Sequence, residues 1–172
     1  MRQLAIETAT LAVMTLAPAI GAQHAPPAVP FTVGEELTYK ATFGRIHAGT
    51  ARMRVDCIDV VRGRRAYHLI FTIDGGIPFF RVHDRYESWV DVETLSSLRH
   101  VQQVAEGRYR RTTVYEIYPE QSAYRRNDDA LMTSVSNPLD DGSFIYAVRT
   151  AGVKVENAAE LVNKLKTEAG VL

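Results

Sequence analysis

The stretch ELTYKATF, residues 36–43, alternates polar and apolar side chains along its length. Because successive side chains of a β-strand point to opposite faces, this period of two predicts a strand with one apolar face. The stretches ARMRVDC (residues 51–57) and YHLIFTI (residues 67–73) repeat the pattern and are separated by short turns. The sequence therefore predicts a mainly β protein, built as a curved antiparallel sheet or a partly open barrel.

The register of the first strands follows from the requirement that neighbouring apolar sets share a face. For the first two strands we expect a loop centred on Ile46, which places Tyr39 opposite Met53. For the next pair we expect an odd-length loop around Gly63, because a two-residue turn would expose the larger apolar set. The resulting pairs are Cys57 with Leu69 and Val55 with Phe71. Cys57, the single cysteine, is then predicted to be buried and inert.

The later part of the chain is divided by two turn dipeptides, Glu106-Gly107 and Pro119-Glu120. They predict strands near residues 97–105, 108–118 and 121–127. With 46% hydrophobic residues, the chain can bury a core. We expect one antiparallel β domain over residues 31–149.

The charge of the chain is balanced, with 20 basic and 20 acidic residues. Long-range attraction to nucleic acid or to an anionic membrane is therefore not expected. A local basic strand is explained by cross-strand pairing, since a tight turn after it would place Arg111 opposite Asp128 and Arg110 opposite Asp129. The sequence predicts no nucleic-acid partner.

Residues 1–22 are predicted to form a secretory signal peptide. Arg2 precedes an apolar stretch over residues 8–17, and Ile20-Gly21-Ala22 is a small-residue cleavage site. A Pro/Ala-rich linker over residues 23–30 follows. The apolar stretch is shorter than the roughly 20 residues that span a bilayer. We expect a periplasmic protein with no transmembrane span after cleavage; a leader that stays attached is the alternative.

Aromatic residues mark a candidate site for an apolar ligand. Three lie on the apolar face of the predicted sheet, and two follow the Gly75-Gly76 break. A concave apolar face suits an apolar or amphipathic molecule such as a lipid. Packing of these side chains in the core is the alternative. The predicted ligand-binding residues are Tyr39, Phe43, Phe71, Phe79 and Phe80.

A cluster of titratable residues, His83, Asp84, Glu87 and Asp91, suggests a hydrolase as an alternative function. The spacing of these residues matches no metal template, and surface salt bridging with Arg85 is the simpler interpretation. The chain contains no nucleophile elbow, phosphate-binding loop or dinucleotide motif. The sequence therefore assigns no catalytic residue, no metal and no cofactor.

Four short segments are typical of one family of exported bacterial proteins: VGEEL (33–37), AG (48–49), DRYES (84–88) and NPLDD (137–141). They resemble the domain of unknown function 3108 family over residues 31–149. The resemblance implies a periplasmic protein whose curved antiparallel sheet closes partly into a barrel, similar in outline to periplasmic lipoprotein carriers. It also implies further strands after Arg149, and it brings no catalytic residues.

The tail over residues 150–172 departs from that family. Asn157 can cap an amphipathic helix with an apolar stripe at Leu161, Val162 and Leu165. The tail resembles the extreme carboxyl terminus of electron transfer flavoprotein beta subunits, whose nucleotide-binding body is absent here. We therefore expect a truncated β domain with a helical tail. A non-functional fusion or truncation product is the third alternative, beside an envelope-ligand-binding protein and a periplasmic hydrolase.

Overall fold

The computed structural model describes residues 26–43 and 46–151, with the side chains of residues 43–47 left out of that description. Eight strands and one α-helix form in these ranges. The strands are β1 (Glu36–Phe43), β2 (Ile46–Val61), β3 (Arg64–Ile77), β4 (Phe80–Asp91), β5 (Ser97–Glu106), β6 (Tyr109–Tyr118), β7 (Ala123–Arg126) and β8 (Met132–Thr133). The helix α1 covers Asp141–Thr150, and a 3₁₀ turn covers Pro119–Gln121.

Each strand pairs antiparallel with the next one along the chain, in the order β1 to β8. The result is a single curved sheet that does not close into a barrel. The predicted fold class, a mainly β protein with an antiparallel curved sheet, is therefore confirmed. No helix among the described residues has the length and apolar character to cross a membrane.

The apolar residues of β1 and β2 lie on the same face, as expected, but the two strands pair in a different register. Leu37 lies opposite Met53 and Tyr39 opposite Ala51, two residues away from the predicted pairs. The register shifts between Ala41 and Thr42, and Phe43 pairs with Ile46 at the strand ends. The predicted pairing was wrong because Ile46 belongs to β2, where it pairs with Phe43, and is not the centre of a loop.

The pairing of β2 with β3 uses the two-residue turn, Arg62-Gly63, that the sequence argument rejected. A β-bulge at Asp56 shifts the register by one residue, so Val55 pairs with Leu69 and both are buried. A bulge changes which face the following side chains occupy. The predicted pairing of Cys57 with Leu69 is wrong: Cys57 lies opposite His68 and is half-buried.

The later strands lie close to their predicted positions, but the predicted arginine pairs do not form. Arg110 and Arg111 lie opposite Ala105 and Val104 of β5. On the other side of β6, the 3₁₀ turn places Tyr118 opposite Ala123, and β7 ends at Arg126. The strand β7 is therefore too short to bring the acidic residues that follow it opposite Arg110 and Arg111.

The helix α1 lies inside the segment predicted to be β and packs on the concave face of the sheet against β3 and β4. It contributes Tyr146 to the main core, whose buried members are Phe31, Met53, Val55, Leu69, Val90 and Tyr146. A smaller cluster of Val61, Ala66 and Leu98 lies on the convex face. The predicted signal peptide and the predicted tail helix, with its likeness to flavoprotein subunits, lie outside the described residues.

Candidate functional site

A row of aromatic rings crosses the concave face, with one ring from each strand between β3 and β7. Neighbouring ring centroids lie 5.9 to 6.4 Å apart. This spacing falls within the range at which aromatic rings attract one another. Burial, reinforced by the nearby Asp84 carboxylate, raises the pKa of Tyr86. The members of the row, from β3 to β7, are Phe71, Tyr86, His100, Tyr115 and Tyr124.

The amino terminus of α1 is fixed beside this row by Asp140. The Asp140 Oδ1 atom accepts the backbone N–H groups of Gly142 and Ser143 at 2.9 and 2.8 Å. The Ser143 hydroxyl lies 2.8 Å from the Asp140 backbone nitrogen, which completes a capping box. The same nitrogen also lies 3.0 Å from the Ser97 hydroxyl of β5. Asp140 therefore caps the amino terminus of α1 and connects the helix to β5 through Ser97.

Ser88 connects this cap to the aromatic row. Its hydroxyl donates to Asp140 Oδ1 at 2.6 Å and lies 3.1 Å from His100 Nδ1. His100 Nδ1 also lies 3.0 Å from the Glu87 carbonyl oxygen, which can only accept, so Nδ1 carries a proton. The three side chains resemble a catalytic triad in composition only. Ser88 is 1% exposed, and its proton points to Asp140 and not to His100.

A cavity of about 260 Å³ lies over the β5–β7 half of the row; its lining mixes apolar side chains with charged and hydroxyl groups, and we call it the polar cavity because of those groups. Two buried oxygen atoms of residues lining it, Asp140 Oδ2 and Ser134 Oγ, have no hydrogen-bond partner among the described residues. Buried polar atoms normally have partners, and each one left unmatched costs about 1 to 3 kcal/mol. The lining residues are His100, Gln102, Tyr115, Ile117, Tyr124, Arg126, Met132, Ser134, Pro138, Leu139, Asp140 and Asp141.

Two further recesses continue along the concave face. A middle recess of about 240 Å³ is lined by Phe71, Ile73, Tyr86, Asp141 and Gly142. An apolar recess of about 350 Å³ lies at the β1–β4 end, and its lining includes Ala41, Ala51, Ile73, Ile77, Phe80 and Val82. Ile73 belongs to both of these recesses, and Asp141 belongs to both the middle recess and the polar cavity. The lining of this face is therefore almost wholly apolar at the β1–β4 end and mixed polar and apolar in the other two recesses.

The structure brings two of the five predicted ligand-binding residues to these recesses. Phe80 lines the apolar recess and Phe71 lines the middle one. Tyr39 is half exposed on the same face but lines none of the three recesses. Phe79 is fully exposed in the turn between β3 and β4. The side chain of Phe43 lies outside the described part of the chain.

The titratable cluster is divided between the two faces of β4. Asp84 is buried on the concave side, where it accepts the Ala105 backbone N–H at 2.7 Å. Glu87 lies on the convex side; burial opposes its ionisation, but hydrogen bonds from Arg85 and His68 outweigh burial and lower its pKa. His83 pairs with Asp74 and Asp91 with Arg64. Salt bridging thus accounts for the convex members of the cluster.

The functional residues that the sequence argument missed lie in two of the segments that carried the family resemblance. DRYES supplies Tyr86 and Ser88, and NPLDD supplies Asp140 and Asp141. The alternation within DRYES indicates that Asp84, Tyr86 and Ser88 share a face. Nothing in the sequence indicates that this face meets NPLDD, because the contact between Ser88 and Asp140 joins residues 52 positions apart.

These features define a class: an antiparallel β protein with an unclosed sheet, a helix anchored on the concave face, and recesses beside that anchor. Residues 38–160 match the family described as protein of unknown function (DUF3108). Because the match spans more than half of the chain, the protein belongs to this family. The match also extends beyond Arg149, where the sequence had predicted the family resemblance to end. No curated protein and no solved structure matches the chain.

Proposed function

We propose that this protein is exported to the periplasm and binds an amphipathic molecule of the cell envelope, such as a lipid, on its concave face. The observation that carries the proposal is the order of the three recesses, from one with an almost wholly apolar lining to two with mixed polar and apolar linings, with shared lining residues between neighbours. Small-molecule sites usually occupy about 300 to 1,000 Å³. The apolar recess lies within this range by itself, whereas the middle recess and the polar cavity reach it only when a ligand spans neighbouring recesses.

The apolar recess suits the hydrocarbon part of such a ligand. Its walls are small and aliphatic side chains of β1 to β4, together with the Phe80 ring. Ile77 is 62% exposed and Phe80 is 46% exposed. Each methylene group that the ligand buries there contributes about 0.8 kcal/mol. Burial of a chain is therefore favourable without any polar contact.

The polar cavity suits the headgroup. Asp140 Oδ2 can only accept a hydrogen bond when the carboxylate is ionised, and the Ser134 hydroxyl can donate or accept. A headgroup hydroxyl or ammonium that donates to Asp140 would give a partner to a buried atom that has none among the described residues. The tyrosine rings of the cavity wall add a surface on which a cationic group is attracted.

Binding is tested by native mass spectrometry after gentle extraction of the protein from the periplasmic fraction. We expect a retained lipid, and we expect Ile73→Glu to remove it, because this substitution places a charge between two recesses. The matched control is Val60→Glu, since Val60 is exposed and lines none of the three recesses. Thermal melts establish that both variants are folded.

The polar end has its own test. Ser134→Ala removes a buried hydroxyl that has no partner in the described structure, so we expect a weaker hold on the lipid without loss of stability. Ser136→Ala, at an exposed neighbouring position, is the control. A parent protein that retains no lipid would contradict the proposal. Equal lipid retention by the Ile73→Glu and Val60→Glu variants would also contradict it.

Export is tested separately by amino-terminal sequencing of protein from cell fractions. We expect a periplasmic product that begins at Gln23, because the predicted cleavage site ends at Ala22. A cytoplasmic product that begins at Met1 would contradict export. That outcome leaves the binding experiments interpretable, since they measure the concave face directly.

A further inference from the structure

The bulge in β2 assembles three potential metal ligands on the convex face, opposite the recesses. In a regular strand, adjacent residues such as Asp56 and Cys57 point to opposite faces. Here the register shifts between Val55 and Cys57, and both side chains reach His68 of the neighbouring strand. One ligand atom each from Asp56, Cys57 and His68 lies within 4.8 Å of the other two. We call these three residues the bulge cluster.

The spacing of the bulge cluster is close to that of a metal site. Ligands of a tetrahedral Zn²⁺ with bonds of about 2.0 to 2.3 Å lie about 3.3 to 3.8 Å apart. His68 Nδ1 and Asp56 Oδ2 are already 3.6 Å apart. The other two distances are at most 4.8 Å, so side-chain rotation must shorten them. All three side chains are only partly buried, and the other carboxylate oxygen of Asp56 forms an ion pair with Arg54.

His68 is also held in the orientation that a metal ligand requires. Its Nε2 atom lies 2.8 Å from Glu87 Oε2, and Glu87 is fixed in turn by Arg85 Nε at 2.9 Å. The imidazole ring stacks on Trp89 with a centroid distance of 4.4 Å. A histidine that donates one ring N–H to a carboxylate presents the lone pair of the other nitrogen to a metal. Here that nitrogen is Nδ1, which faces Asp56.

We propose that Asp56, Cys57 and His68 bind a thiophilic divalent cation of the Zn²⁺ class, with Glu87 as the residue that positions His68. On binding, the Cys57 thiol releases its proton to solvent and the sulfur coordinates the metal. One thiolate and one carboxylate then balance the two charges of the cation, and sulfur, nitrogen and oxygen together suit Zn²⁺ better than Mg²⁺ or Ca²⁺. The fourth position is left for water, as in sites with three protein ligands.

The test uses Co²⁺ and Zn²⁺ with the untagged full chain. We expect one equivalent of Co²⁺ to bind, with a sulfur-to-cobalt charge-transfer band and the visible absorption of a tetrahedral ion. Cys57→Ser should remove the charge-transfer band, and His68→Gln should abolish stoichiometric binding. Glu87→Gln should retain the band but lower the affinity about 10- to 100-fold, because it weakens only the positioning of His68.

The matched control is His83→Gln, which removes a histidine that pairs with Asp74 on the same face but outside the bulge cluster. We expect this variant to bind Co²⁺ like the parent protein. Zn²⁺ should also slow the reaction of Cys57 with a thiol reagent. Binding without a sulfur band, binding retained in both Cys57→Ser and His68→Gln, or a labelling rate independent of Zn²⁺ would overturn the proposal. Circular dichroism melts in metal-free buffer establish that each variant is folded.

Discussion

The two ends of α1 are held on the sheet by different physical interactions. At the amino terminus, Asp140 and Ser88 are buried and share a hydrogen bond of 2.6 Å. At the carboxyl terminus, Arg149 forms an ion pair with Glu35, and both side chains are about one quarter exposed. The Arg149 guanidinium also lies over the rings of Phe31 and Tyr146. The comparison teaches that polar contacts differ in energy according to their access to water.

The buried end is more sensitive to substitution because Asp140 and Ser88 hydrogen-bond each other and are both buried away from water. Removing one partner leaves a buried polar group unmatched, which costs more than the bond itself contributes. The exposed end regains solvent when its pair is broken, so its net contribution is small. The following predictions test this difference.

The largest effect is expected for Asp140→Ala. The change removes the helix cap and the acceptor of the Ser88 hydroxyl, which predicts a loss of about 2 to 4 kcal/mol in the free energy of unfolding. Asp141→Ala is the matched control, because Asp141 is the exposed next residue and its loss should cost less than about 1 kcal/mol. Urea denaturation measures both. Equal losses at the two positions would remove the basis of the comparison.

An intermediate effect is expected for Gly142→Ala. A Cβ atom at Gly142 would lie 2.5 Å from Ser88 Oγ, so something must move. Alanine is the better helix former by up to about 1 kcal/mol, but the overpacking should outweigh this and lower stability by about 1 to 2 kcal/mol. Chemical denaturation of the variant measures the loss.

A double-mutant cycle identifies the cause of that loss. If the clash with the Ser88 hydroxyl is responsible, Gly142→Ala should cost at least about 0.5 kcal/mol less in a Ser88→Ala background than alone. Strict additivity of the two substitutions would instead show that the close approach of α1 to β4 does not limit this position.

The two ends of α1 also show why the sequence did not predict this helix. Residues 144–148 contain Phe, Ile, Tyr and Val, which favour strands, and Gly142 weakens the first turn. The capping signal is present as Asp140 followed by Ser143 at the third helical position, but a glutamate or glutamine there is the usual signature. Packing of Tyr146 in the core decides in favour of the helix.

The strands show where pattern reasoning works and where it stops. The predicted β5 and β6 end within one residue of the observed strands, because turn dipeptides mark their ends. The pairing of β2 with β3 was wrong because a single inserted residue at Asp56 reverses the choice between turn lengths. The same residue places Cys57 beside His68, so the bulge cluster cannot be read from sequence spacing.

The concave site shows the same limit. Phe71 and Phe80 were predicted as ligand-binding residues from alternation and from a glycine break, and both line recesses. The remaining rings of the aromatic row become visible only when the register of each strand pair is known. Asp140 belongs to the NPLDD segment, yet its partner Ser88 is distant in sequence, and only the fold brings the two together.

The smallest effect is expected at the exposed end of α1, for Glu35→Gln. The hydrogen bond from Arg149 holds the pKa of the Glu35 carboxyl below its ordinary value of 4.5. The unfolded chain therefore binds the proton more readily. The stabilisation is complete above about pH 4.5 and is lost as the pH falls through the folded pKa. At neutral pH we expect Glu35→Gln to lower stability by less than about 1 kcal/mol, and still less at high salt.

Urea denaturation of parent and variant between about pH 7 and pH 3 measures this dependence on the charge of Glu35. The difference in stability should shrink towards zero at the acidic end, because the parent then also carries an uncharged group at position 35. Glu36→Gln, at the exposed neighbouring position, controls for the general effect of removing a negative charge. A difference that persists unchanged in acid would show that Glu35 acts through packing. Both ends of α1 would then depend on buried contacts, and the proposed difference between a buried end and a solvent-accessible end would be wrong.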